Sequence, residues 1–155
     1  MIYPNIPELA AALLRNKRLA GLDLGEKTIG IAIGDPGHMV ASPLTTIRRT
    51  KFTPDAKELF RIADERKIGG LVIGLPLNMD GSEGPRCQSV RQFAENLLKL
   101  RDIPVAFWDE RLSTMAVTRG MIEADLSRAK RAKIVDQSAA AFILQGALDR
   151  LTSSR

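Results

Sequence analysis

Two apolar runs joined by one tight turn constrain this chain more than any other feature. Arg18 to Leu24 reads as a strand, Gly25-Glu26-Lys27 as a turn, and Ile29 to Gly34 as a second strand with alternating apolar positions. Side chains of period two line one face of a pleated ribbon, so the pair is expected to close as a hairpin. After the Asp35-Pro36-Gly37 turn, Met39 to Arg48 supplies a third antiparallel strand. Pro43 inside it requires a break, a bulge or an edge position, because proline cannot donate to a ladder.

Beyond Arg48 the pattern changes to alternating helices and strands. Thr53-Pro54-Asp55 combines an N-cap, a first-turn proline and an early acid, and Ala56, Leu59, Phe60 and Ala63 then share one helix face. Gly70 to Gly74 is a continuous apolar run suited to a strand covered on both faces, and Leu75 to Gly84 is a loop rich in Pro, Asn, Asp and Gly. A helix from about Pro85 to Leu100 buries Val90, Phe93, Ala94 and Leu97, and Pro104 to Trp108 forms the next buried strand. Ser113 caps a helix to about Ala124, and Asp136 to Leu151 forms the last. A short helix, Ile6 to Leu14 with start signals at Asn5 and Pro7, precedes the hairpin. Helical crossovers place later strands parallel to the first, so the expected fold is α/β, with a mixed five-stranded sheet in the order 3-2-1-4-5 flanked by helices. A chain of 155 residues, 45% hydrophobic, has material for one good core. Residues 18–155 are read as one domain, preceded by the N-terminal helical segment 1–17.

Several chemistries are disfavoured by the inventory. Apolar runs such as Leu71 to Ile73 and Ala139 to Leu144 fall far short of the roughly 20 residues that cross a bilayer. Glu8 inside the apolar stretch of Met1 to Arg15, with no charged leader, argues against a secretory signal, so a cytoplasmic protein is expected. A single cysteine, Cys87, and a single histidine, His38, leave no internal disulfide and make Cys–His, Ser–His and His-rich metal sites improbable. His38 adjoins a Pro-Gly turn and is read as a turn or surface residue. The formal charge of +5 favours a polyanionic partner, although net charge alone decides little.

The acids carry more information. Asp23 lies within Gly21-Leu22-Asp23-Leu24-Gly25, where strand alternation puts only glycines on its own side. Desolvating an unpaired carboxylate is costly, so an acid in a core strand needs a cation, a metal or donors nearby, or else bonds the following turn. Asp109 and Glu110 end another strand and should point in different directions. Reactive groups of open α/β sheets gather beyond the carboxyl ends of parallel strands, so one of the pair can approach Asp23, the alternative being a solvated turn paired with Arg111. Asp136 precedes Ala139 and Ala140 at spacings that place it on the buried side of its helix, unless it merely caps that helix. Converging acids repel one another unless cations neutralise them. Hard carboxylate donors suit Mg²⁺ or Mn²⁺, and such ions activate water and stabilise the leaving oxygen of a phosphodiester.

Arg128, Lys130, Arg131 and Lys133 bring cations without an acid just before Asp136, which reads as phosphate-binding charge beside the metals or as a solvated helix end or loop. Arg86 and Arg91 extend the same surface, and Lys27 and Thr28 can contact phosphate from the hairpin. Trp108 is read as a core residue rather than a base-stacking one.

Four ordered segments then resemble the YqgF family, also called RuvX: Gly21-Leu22-Asp23-Leu24-Gly25-Glu26-Lys27-Thr28-Ile29-Gly30, Val72-Ile73-Gly74-Leu75-Pro76-Leu77-Asn78-Met79-Asp80-Gly81, Asp109-Glu110-Arg111-Leu112-Ser113-Thr114, and Lys133-Ile134-Val135-Asp136-Gln137-Ser138-Ala139-Ala140. The resemblance covers about Arg18 to Leu151 and implies a ribonuclease-H-like fold and a metal-dependent nuclease. It implies Asp23, Glu110 and Asp136 as catalytic metal ligands, with Asp109 held in reserve as a supporting group or the ligand itself. It further implies processing of the 5′ end of pre-16S ribosomal RNA as the first expectation, with structured RNA as partner. Resolution of branched DNA junctions comes second. A catalytically silent nucleic-acid-binding factor is the non-enzyme alternative. An ATPase is a weak third, since the first segment also resembles a phosphate loop of actin-like ATPases and no second phosphate motif follows.

Overall fold

The computed structural model describes residues 1–112 and 128–153, with side chains of the last helix from residue 139 onward. In chain order the elements are β1 (Ile2–Tyr3), α1 (Ile6–Ala11), β2 (Arg18–Leu24), β3 (Thr28–Gly34), β4 (Ala41–Arg48), α2 (Phe52–Arg66), β5 (Ile68–Leu75), α3 (Pro85–Leu100), β6 (Val105–Asp109) and α4 (Arg128–Ser153). The helix expected over residues 113–124 lies outside the described residues. Among the described residues no helix is long and apolar enough to cross a membrane.

β2 and β3 form the expected hairpin, with Leu22 opposite Ile31 and Asp23 opposite Gly30. β4 continues the meander as an edge strand, and its register slips between Ile31 and Ala32, where Pro43 pairs with Ala32. Proline is therefore accommodated by both of the devices open to it, an edge and a bulge. β5 runs parallel to β2, and β6 parallel to β5. The sheet order is β1-β6-β5-β2-β3-β4, which reproduces the expected five-strand order and adds a sixth strand. That sixth strand corrects the reading of the N-terminus as helical alone: Ile2 and Tyr3 pair in parallel with Val105 and Ala106. Two residues are too short to carry a periodic signal.

Other boundaries also move. α1 ends at Ala11 rather than Leu14, and Leu14 is exposed. The Asn5 side chain does cap it, accepting a bond of 2.9 Å from the Glu8 N–H. β4 begins at Ala41 rather than Met39, because Asp35 accepts from the N–H groups of Met39 (2.6 Å) and Val40 (2.8 Å) and holds both in the turn. Thr53 is not the cap of α2, which starts at Phe52 after Lys51 with no side-chain cap. The acid of that first turn, Asp55, is buried and instead accepts from the N–H and hydroxyl of Thr50, each at 3.1 Å. α4 begins at Arg128 rather than Asp136, so position 136 lies well inside the helix and is not a cap.

The two sheet faces bury different material. α2 and α3 cover one, in a cluster that includes Leu22, Ile29, Leu59, Ile73, Phe93 and Leu97. α1 and α4 cover the other, where Leu19, Ala32, Val72, Ala106, Ala140 and Leu144 meet. Trp108 packs at the margin of this second cluster, as a core role requires. Strand alternation sorts β2 accordingly, with Ala20, Leu22 and Leu24 toward α2 and α3 and Leu19 toward α4.

Candidate active site

Asp23 occupies the α4 side of β2 near its carboxyl end. The helix comes unusually close to the sheet there, because the strands beneath it present glycines. A Cβ at Gly21 would lie 2.6 Å from the Ala140 carbonyl oxygen and 2.7 Å from the Leu144 Cβ, so the α4 backbone rests directly on β2. Across the hairpin, a Cβ at Gly30 would stand 3.7 Å from the Cβ atoms of both Ala140 and Asp23. Ala140 and Asp23 thus share one small space.

Glu110 enters the same space from β6, immediately beyond the strand end at Asp109. Its carboxyl lies over Gly74 of β5, where a Cβ would stand 2.5 Å from Oε1 and 2.6 Å from the Ile143 Cδ1. The Glu110 carboxyl is pushed up to about 7, first by burial and then by the charge and hydrogen bonding of Asp23. Asp109 adds to this rise, whereas the Arg86 guanidinium opposes it. Two carboxyls in one partly desolvated space resist double ionisation, so the pair shares a proton or requires a cation.

Asp109 faces different company. Its carboxylate accepts from Arg111 Nε (3.0 and 3.1 Å), Arg111 Nη2 (2.7 Å) and the Arg111 N–H (3.0 Å). Those bonds hold its carboxyl below the usual aspartate range. The Arg111 Nη1 also donates to the Met79 carbonyl at 3.1 Å, tying the loop after β5 to the end of β6. Adjacent acids are thus separated: Glu110 turns to Asp23, and Asp109 turns to Arg111.

The remaining expected positions divide. Position 136 is on α4 four residues before Ala140, which is one turn along the same helix. Its side chain and those of Arg128, Lys130, Arg131 and Lys133 lie outside the described residues. Among the described residues no three His, Cys, Asp or Glu side chains gather to hold a metal. Arg86 is exposed in the first turn of α3 and acts on Glu110. Arg91 is engaged elsewhere, paired with Glu83 at 2.6 and 2.9 Å and lying 5.0 Å from the centroid of the Phe107 ring. Lys27 and Thr28 are exposed at the hairpin turn, where the Thr28 carbonyl accepts from the Gly25 N–H at 2.8 Å. Arg49 was not singled out by sequence. Its place beside the hairpin turn, with Nη1 donating to the Gly25 carbonyl at 2.7 Å, is a tertiary contact with no local signal.

The family described as RuvX, Holliday junction resolvase, matches residues 17–150. This chain belongs to the RuvX family. A relative from Paramagnetospirillum magneticum, named as a pre-16S rRNA nuclease, is 63% identical over 142 residues, covering 92% of each chain. One of the same name from Phenylobacterium zucineum is 61% identical over 153 residues, covering 97% of this chain and 98% of the relative. Among solved structures, RuvC of T. thermophilus in complex with a Holliday junction superposes with a TM-score of 0.52 at 12% identity, over 87% of this chain and 96% of that one. The yeast mitochondrial resolvase Ydc2 superposes with a TM-score of 0.54 at 11% identity, over 97% and 87%. At such identities these likenesses establish the ribonuclease-H-like fold shared with RuvC.

Proposed function

We propose that this RuvX-family chain is a divalent-metal-dependent nuclease acting in the cytoplasm, with residues 18–155 as the nuclease unit. The observation that carries the reading is the Asp23–Glu110 pair. Two carboxyls, brought together from different strands by Gly21, Gly30 and Gly74, hinder each other's ionisation, and a hard cation relieves that conflict. Their all-oxygen donor set fits Mg²⁺ or Mn²⁺ rather than a thiophilic metal. Asp136, one turn before Ala140, supplies the third carboxylate in this reading. When bound, the metal polarises the phosphodiester and lowers the pKa of an attacking water. The chain's own part is to fix the two carboxyls against glycine, to keep Asp109 out of the site through Arg111, and to hold the Arg86 charge close by. Arg128, Lys130, Arg131 and Lys133 would add phosphate contacts from the start of α4, and Lys27 and Thr28 from the hairpin turn.

Pre-16S ribosomal RNA is the first substrate we propose, following the names of the relatives at about 60% identity. Four-way DNA junctions come second, a reading favoured by the family description. The test is a cleavage assay with Mg²⁺, Mn²⁺ or chelator on precursor rRNA, single-stranded RNA and four-way junctions. Metal-dependent cutting of the precursor above the other two is the expected result. Preferential cutting of the junction would exchange the two substrates, and binding without cutting under every metal would leave a silent binding factor.

A further inference from the structure

A second feature lies across the carboxyl edge of the sheet from the acids. The β2–β3 turn, the β4–α2 connection and one side of α3 enclose a groove of about 610 Å³, within the range of roughly 300–1,000 Å³ typical of ligand sites. Its apolar wall is built on Phe52 and Phe93, whose rings meet edge to face with centroids 5.5 Å apart. Arg49 lines it, held by the Gly25 carbonyl and lying 5.7 Å from the centroid of the Phe93 ring. Arg86 lines it as well. Among the described residues neither arginine has a carboxylate at ion-pair distance, in contrast to Arg61, Arg91, Arg101 and Arg111, which are all paired. Among the described residues Glu26 is the one acid on the lining, against these two arginines. Gln92 and Asn96 complete the α3 side and bond each other through Gln92 Nε2 and Asn96 Oδ1 at 2.9 Å. The Gln92 oxygen and the Asn96 amide lie outside that bond, an acceptor and a donor for a ligand's edge.

The groove adjoins the acidic site across the carboxyl edge of the sheet. Leu24 and Gly25 line it and directly follow Asp23, and Arg86 both lines it and acts on Glu110. Since Asp23 and Leu24 point to opposite faces, a chain with a phosphate at the carboxyls reaches the groove only by turning over the sheet edge beside Arg86. A duplex is too stiff for such a turn, with a persistence length of about 150 bp for DNA, whereas an unpaired strand bends freely and exposes its base edges. We propose that this groove holds an unpaired nucleotide flanking the scissile phosphate, with Arg86 and Arg49 at its phosphates and the Gln92–Asn96 pair at its base. The assignment rests on the nuclease reading for which phosphate is cut, and it defines the substrate class as one with a single-stranded segment beside the cut.

The test measures binding of a short single-stranded RNA and of a blunt RNA duplex of the same sequence, in chelator so that nothing is cut, over a series of salt concentrations. The parent binds the single strand more tightly. Arg49→Gln weakens that binding about tenfold, as expected for one charged hydrogen bond, lowers the salt slope by about 0.7, and leaves duplex binding unchanged. Arg49 contacts its own fold, so a second pair of variants uses the exposed Gln92: Gln92→Glu weakens and Gln92→Lys strengthens single-strand binding. Arg61→Gln, on the far side of α2 and paired with Glu58 and Glu65, changes neither. Parent affinity and slope in both Arg49→Gln and Gln92→Glu would overturn the groove assignment, as would equal losses on single strand and duplex, or no single-strand binding by the parent. Cleavage by the parent alongside unchanged binding by the variants removes the groove and keeps the nuclease. Groove-dependent binding by a parent that cuts nothing removes the nuclease and keeps the groove.

Discussion

Around the acids, the two faces of the sheet are packed by different means. Under α2 and α3, large side chains such as Leu22, Leu59, Ile73 and Leu97 fill the space between helix and strand. Under α4 the strands offer Gly21, Gly30 and Gly74, and the helix meets them with Ala140, Ile143 and Leu144. A layer of leucine and isoleucine keeps helices at an ordinary separation and contributes most of the hydrophobic stabilisation. A layer of glycine brings a helix down to the strand backbone and leaves room for carboxyls between them. Both faces bury a hydrophobic cluster, and the α4 face in addition holds Asp23 and Glu110 together at a cost.

The contrast can be broken from either side. Leu22→Ala, on the leucine face, removes buried methylenes and leaves a cavity, and should lower unfolding free energy by about 2–5 kcal/mol, measured by denaturant titration. Gly21→Ala, one residue earlier and on the opposite face, should cost about 1–3 kcal/mol for the opposite reason, overpacking. Its added methyl meets a helix carbonyl at 2.6 Å, and a backbone cannot rotate away. Equal tolerance of alanine at Gly21 and at an exposed position would refute the close approach. Gly74→Ala should be milder in stability, about 1 kcal/mol, because the atoms it meets are the ends of the Glu110 and Ile143 side chains. It should be harsher in function, displacing Glu110 and lowering metal-dependent cleavage roughly a hundredfold.

The smallest effect lies away from both faces, at Asp35. Bonds from the N–H groups of Val40, Met39 and Gly37 hold its carboxyl below the ordinary value. A depressed carboxyl adds stability above its unfolded value of about 3.9 and loses it as pH falls through its lower folded value. Asp35→Asn should therefore lie below the parent in denaturant midpoint near neutrality, and the gap should close in acid. A gap that persists in strong acid would show that shape rather than charge holds the β3–β4 turn.

What could be read from the sequence follows the length and locality of each signal. The hairpin and the strand–helix alternation extend over many residues, and the five-strand order followed from them. β1 is two residues long and has no period to detect. Glu110 was legible as an acid at a strand end, but its separation from Asp109 depends on Arg111 and the Met79 carbonyl, contacts that only the folded chain makes. Gly21 and Gly25 read as small neighbours of Asp23, whereas the use of Gly21 and Gly74 as seats for α4 and Glu110 emerges only when strands, helix and loop meet. Arg49 reaches the hairpin turn by the same tertiary route. Asp136 and the cations from Arg128 to Lys133 follow from motif and helix spacing, and a substitution series at these positions would extend the comparison to the start of α4.

In the proposed function the glycine face brings Asp23 and Glu110 together around a divalent cation, and this is tested by comparing the parent with Asp23→Asn for cleavage of precursor rRNA in Mg²⁺ and for thermal unfolding in chelator. Asparagine keeps the shape and removes one of two opposed charges, so the metal-free protein should unfold at the same temperature or higher. Cleavage should nearly vanish, since a misplaced or absent metal forfeits several kcal/mol of transition-state stabilisation. A folded Asp23→Asn protein that cuts as fast as the parent, in the same metal, would contradict the account.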